Sequence, residues 1–171
     1  MRFSVDARGM ASWEGRRTIC ALGRGGVCAA GDKREGDGRT PAGEWLIRGV
    51  MWRQDRSARP DTVLPVRSID PDDGWCDDPL DPAYNRPVRL PYPSSAERLW
   101  RDDGVYDLVV EIGYNDDPVT IGAGSAIFLH LARPGYVPTE GCVALAEADL
   151  RHLLRRAGPG DTLCVALAAN F

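Results

Sequence analysis

The chain has only two histidines, His130 and His152. There is no CxxC pair, and His152 sits on a stretch of helical spacing far from His130, so a zinc site lacks ligands and no metal or cofactor is implied. No apolar run is long enough to span a membrane. Met1-Arg2-Phe3-Ser4-Val5 is followed by charged residues, with no apolar leader. Positive charge is not in excess: 21 Lys and Arg stand against 25 Asp and Glu, a net charge of −4, which argues against nucleic acid as a partner. Residues 31–43 are glycine-rich but lack the Gly-Lys-Ser/Thr that opens a helix in a phosphate cradle. They run instead into Thr40-Pro41 and a strand-like Glu44-Trp45-Leu46-Ile47. That leaves a connecting loop or a loop lining a cleft. Repeats and low-complexity tracts are also missing.

What remains is an ordinary globular composition, 43% hydrophobic and 27% charged over 171 residues. Length predicts one domain, residues 1–171, able to bury roughly two-thirds of its unfolded surface. Thirteen prolines and nineteen glycines predict many turns and little helix. Residues 17–22 and 27–30 flank a Gly-rich turn and read as a hairpin. Strands are expected over 44–47, 107–114, 126–130 and 162–167. Residues 51–100 read as a long irregular stretch whose aromatics argue against disorder. In it, residues 94–100 (SSAERLW) read as a short capped helix. Leu150, Leu153 and Leu154 recur at helical spacing, with His152 off their stripe on the solvent side. The fold class is mainly β, a β-rich α+β domain with one or two short helices.

Five cysteines are present: Cys20, Cys28, Cys76, Cys142 and Cys164. Cys20 and Cys28 flank the Gly-rich turn, and a disulfide between them is left open. Cys164 lies in an apolar run and reads as a buried thiol. Cys76, beside Trp75 in an acidic stretch, reads as exposed. Cys142 is different. The segment HLARPGYVPTEGCVAL, residues 130–145, sets His130 at the end of an apolar run and Cys142 twelve residues later, after a Gly-containing turn. A cysteine attacks as thiolate, and a nearby imidazole is the usual way to generate one at neutral pH. The spacing alone fits two readings: a nucleophile with its base, and a core thiol with a core imidazole.

The pattern His130, a variable loop, then Thr139, Gly141, Cys142 and Val143 resembles the active-site motif of the YkuD-type L,D-transpeptidases, bacterial cysteine enzymes that crosslink peptidoglycan. A second block, residues 33–43 (KREGDGRTPAG), is similar to that family's G-K…T-P-x-G segment. The resemblance spans about residues 17–167. It implies a β-sandwich of mixed sheets with the cysteine and histidine facing one cleft. It implies Cys142 as nucleophile, His130 as base or imidazolium partner, and the Leu131 backbone carbonyl as the group orienting the ring. Gly141 would let the backbone approach closely, with the Cys142 amide at the oxyanion site. Thr139 would bind the turn or the substrate. Arg39, Tyr84, Asn85, Trp75, Tyr114 and Asn115 are candidates for recognising a zwitterionic peptide.

The implied partners are peptidoglycan stem peptides, attacked at the amide after an L-centre, with the diaminopimelate side-chain amine as acceptor. Water as acceptor would make an L,D-carboxypeptidase. A non-catalytic peptidoglycan-binding module is a further alternative. The implied location is the periplasm or cell envelope, with the cytoplasm as the alternative, and the oligomeric state is unknown. The chain departs from the family in having Ala144 where an arginine is usual. Together with a proline-rich segment over residues 77–93, expected to wall the cleft, this points to the branch forming 1,3-type rather than 3,3-type crosslinks.

Overall fold

The protein is described over residues 1–168 of a computed structural model. The last three positions of the expected domain, 169–171, lie outside the described residues. The longest element is strand β5 (Thr40–Trp52), thirteen residues, and both halves of the large sheet hang on it. Its first half pairs with β13 (Thr162–Val165), which continues through β1 (Arg2–Val5) and β2 (Met10–Trp13) to β3 (Arg16–Ile19). Its second half pairs with β10 (Leu108–Ile112), then β11 (Phe128–Leu131) and β12 (Val143–Leu145). Strands β4 (Val27–Ala29) and β6 (Val66–Ser68) add to β5 in parallel. Parallel and antiparallel pairs are thus mixed, and the fold is mainly β, as expected.

The two halves close on one core. Phe3, Val5 and Trp13 from one side meet Leu108, Val110, Leu129, Val143 and Leu145 from the other. The single α-helix among the described residues, α1 (Glu147–Leu154), seals it with Leu150, Leu153 and Leu154. The two-residue period of a strand then fixes what faces the other way. On β10 and β11, Val109, Phe128 and His130 alternate with the core residues and turn to the opposite face. There a second cluster forms with Ile69, Trp75, Leu99, Tyr106 and Cys142. It is covered by a three-stranded sheet in the order β8 (Pro87–Arg89), β7 (Asp73–Cys76), β9 (Ala96–Arg98). This small sheet brings the site's second wall.

Several expectations are corrected here. Residues 17–22 and 27–30 do not form a hairpin: β3 pairs with β2, and β4 runs parallel to β5. Cys20 and Cys28 are both free thiols. The stretch 51–100 is no structureless loop but carries β6, β7, β8 and β9. Within residues 94–100 there is no helix: Ala96–Arg98 form strand β9, and Leu99 directly after it enters the second cluster. Cys76 is buried, since all four residues of β7 are covered on both faces. His152 is half-buried, and its Nδ1 accepts the Trp13 indole N–H at 3.1 Å.

Candidate active site

The site begins with the strand pair β11–β12, in which His130 lies opposite Ala144. The turn before β12 is held from behind by residues 21–24. Ala21 exchanges both backbone hydrogen bonds with Ala144, and Thr139 N–H donates to Leu22 O at 2.9 Å. The Thr139 hydroxyl bridges the turn, donating to Cys142 O at 2.6 Å and accepting from Gly141 N–H at 3.1 Å. Gly141 has φ +138, and a Cβ there would lie 2.8 Å from Arg39 O and 3.0 Å from Ile127 Cδ1. Gly141→Ala is therefore expected to cost at least about 2 kcal/mol, from backbone strain plus the clash, and to lower Tm by roughly 4–8 °C. Thermal unfolding at wild-type temperature would contradict this geometry.

The turn delivers the Cys142 sulfur beside Ala126 and Phe128. The thiol donates to Ala126 O at 3.2 Å, and Phe128 N–H donates to the sulfur at 3.3 Å. Ala126 itself holds φ +51, a strained conformation for a residue with a Cβ. His130 Nδ1 lies 2.9 Å from Leu131 O. A carbonyl can only accept, so Nδ1 carries the proton and Nε2 keeps a free lone pair. Tyr106 packs edge-on against the imidazole, with centroids 5.3 Å apart. Burial pushes the Cys142 thiol up to about 12, and the Glu97 charge adds to this. Burial likewise pushes His130 down to about 4, despite the Leu131 carbonyl. The resting pair at neutral pH is therefore a thiol and a neutral imidazole, not a thiolate–imidazolium pair.

Both residues line one cavity of about 390 Å³. Its charge is divided. Arg101 and Arg133 reach in on the His130 side, both tied to Asp103 at 2.6 and 2.9 Å, and the Arg101 hydrogen bond holds that carboxylate well below the usual range. Glu35, Asp77 and Glu97 supply the negative side. Glu35 accepts from the Tyr84 and Ser125 hydroxyls, the latter at 2.7 Å. Lys33, the chain's only lysine, is 2% exposed. Its ammonium donates to Asp37 at 2.7 Å and to Arg34 O at 2.6 Å.

Of the residues singled out in the sequence, Cys142, His130 and Thr139 line this cavity, with Gly141 and Leu131 supporting them. The peptide-recognition candidates lie elsewhere. Trp75 is buried edge-on against Phe128. Asn85 spends its amide inside the fold: Oδ1 accepts from Trp75 Nε1 and Ala126 N–H, and Nδ2 donates to the carbonyls of Tyr114 and Asn115. Tyr84 is buried behind Glu35, while Tyr114 and Asn115 line a separate hollow with Ile121. Arg39 is exposed, and its carbonyl is what crowds Gly141. Of residues 77–93, Asp77 alone lines the cavity. The wall facing Cys142 is made instead by Glu97 of β9 and by Arg101, Val105 and Tyr106, which follow it.

Sequence reasoning missed Lys33, Glu97, Arg101, Tyr106 and Arg133. Lys33 stood inside the matched block and Arg133 three residues past His130, so both were within reach. The other three arrive from the misread stretch or just after it.

No curated protein and no solved structure matches this chain. The family model for the YkuD L,D-transpeptidase catalytic domain matches residues 4–165. That span runs from β1 to the end of β13 and takes in both walls of the cavity, so the chain belongs to the YkuD L,D-transpeptidase catalytic-domain family.

Proposed function

We propose that this chain is a peptidoglycan L,D-transpeptidase working by cysteine acyl transfer. The observation that carries the reading is that the Cys142 sulfur shares one cavity with His130, whose Nδ1 is committed to Leu131 O and whose Nε2 is free. In the first half-reaction the thiol turns from Ala126 O towards His130. Nε2 takes the proton as the sulfur attacks the amide carbonyl after an L-centre of a stem peptide. The Cys142 backbone N–H serves as donor to the developing oxyanion, while the Gly141 N–H stays on the Thr139 hydroxyl and holds the turn. The imidazolium then protonates the leaving amine, and a thioester remains on Cys142. In the second half-reaction the diaminopimelate side-chain amine of another stem takes the acyl group.

Arg101 and Arg133 match a substrate carboxylate, as planar donors fixed by a shared aspartate. They bring guanidinium charge to a cavity in which Ala144, beside His130, has none. This supports a branch that places its donor differently from relatives with arginine at that position, and we assign 1,3-type crosslinks to it. A peptidoglycan substrate supports a periplasmic or cell-envelope location.

Purified tetrapeptide muropeptides incubated with the protein and read by mass spectrometry test the reading. Crosslinked dimers joined through L-Ala and diaminopimelate are expected. Only 3,3 dimers would overturn the branch, trimmed monomers alone would mean a carboxypeptidase, and unchanged substrate would leave a binding module.

A further inference from the structure

The negative side of the cavity takes no part in the acylation half-reaction. Glu97 projects from β9, on the wall opposite Cys142, and its side chain is 27% exposed, so a ligand in the cavity can touch it. Its Oε1 accepts the Tyr106 hydroxyl at 2.7 Å. That phenol is buried between Phe128 and His130 and lines the cavity with Cys142. Through Tyr106, Glu97 is thus fixed in place relative to Phe128 and His130 in the cavity that Cys142 also lines. Arg101, the nearest cation, is only 3.6 Å away but commits its bidentate contact to Asp103. Next to Glu97 on the same wall is Asp77, whose Oδ1 is buried and accepts no hydrogen bond among the described residues. A buried carboxylate oxygen without a donor is costly, and a cationic ligand with several N–H groups supplies what it lacks.

We infer that Glu97, with Asp77 beside it, is the acceptor subsite: it takes the ammonium group of the incoming stem peptide and removes its proton. The inference rests on the proposed acyl-transfer function and names the group that lets an amine, rather than water, resolve the thioester. An ammonium ion has no lone pair and cannot attack. The Glu97 carboxylate takes one proton, and the freed nitrogen attacks the thioester carbonyl. The C–N bond forms as the C–S bond breaks. The second N–H proton passes through His130 Nε2 to the leaving sulfur and restores the thiol, and Glu97 returns its own proton to solvent. Burial, together with the Asp77 and Glu35 charges, raises the Glu97 carboxyl above its ordinary range, which suits a base that must accept a proton from an amine.

The test compares two nucleophiles on the same thioester. Protein acylated by a tetrapeptide stem is offered either a diaminopimelate-containing stem, whose amine is charged at neutral pH, or hydroxylamine, which is not. Glu97→Gln is expected to lower capture by the charged amine about 10- to 100-fold relative to capture by hydroxylamine, the scale of one hydrogen bond to a charged group. Glutamine still accepts the Tyr106 hydroxyl, so the cavity wall is kept. Asp77→Asn is expected to move the ratio in the same direction and serves where Glu97→Gln does not fold. Equal loss with both nucleophiles would mean that Glu97 only braces Tyr106, and no loss with either would mean that the amine binds elsewhere. Each overturns the subsite while leaving acyl transfer intact. A parent protein that forms no thioester overturns the acyl-transfer reading itself, and the subsite with it.

Discussion

Cys142→Ala is expected to abolish acyl-enzyme formation and lower turnover by on the order of 10⁴ or more, the scale seen when a covalent nucleophile is removed. The loss is this large because no other thiol can stand in. Cys20, Cys28, Cys76 and Cys164 are buried outside the cavity lining. The fold should survive. The sulfur sits at a cavity edge and makes one donated and one accepted hydrogen bond, so its removal costs about 1–2 kcal/mol. Intact-protein mass spectrometry with a stem-peptide donor, beside a thermal melt, separates the two effects. An adduct on the folded variant would end the assignment of Cys142.

His130→Ala is expected to slow acylation by about 10²- to 10⁴-fold. Burial holds the Cys142 thiol near 12, so the sulfur is protonated at neutral pH and cannot attack until a base receives its proton. The wild-type acylation rate should stay flat down to about pH 4 and fall below it, as His130 takes up a proton. The variant should instead rise with pH, following hydroxide. Stability carries the same signature. The folded pKa of His130 lies below its unfolded value of 6.5, so between these limits the unfolded chain binds a proton that the folded chain refuses. Stability is therefore lost as pH falls from about 6.5 to about 4, by about 3 kcal/mol from this group. The variant lacks that component, and denaturant titrations at pH 7 and pH 4 measure the difference. Identical pH dependence in the two proteins would show that His130 is not buried as a neutral ring.

How much of this could be read in the sequence depended on whether a segment carries its own period. β10 (Leu108–Ile112) and β11 (Phe128–Leu131) are runs of β-branched and apolar residues that pack on both faces, and their strands were legible. The helix over Leu150, Leu153 and Leu154 was legible from its stripe. Strands β7, β8 and β9 are three or four residues long, with Asp, Gly and Pro among them. They exist because β7 lends its edges to two distant partners, and no local window records that. In SSAERLW the helix-forming Ala, Glu and Arg gave the wrong element. Ala96–Arg98 form β9 instead, Leu99 directly after it is buried in the second cluster, and Glu97 lines the cavity. The motif residues Cys142 and His130 could be found because twelve positions of chain connect them. Their wall could not, because it comes from a different sheet.

The isolation of Lys33 has a consequence for the integrity of the protein itself. On the proposed chemistry the enzyme carries a thioester that primary amines destroy. Twenty of its 21 basic side chains are arginines, which stay protonated and do not attack acyl groups at neutral pH. The one lysine is buried, and its ammonium is tied to Asp37 and to the Arg34 carbonyl. The chain therefore presents no side-chain amine on its surface that a neighbouring acylated copy could mistake for an acceptor. Isopeptide-linked dimers of the protein should not accumulate during turnover, and side-chain acyl mass retained on the folded chain should reside on sulfur and be released by thiols.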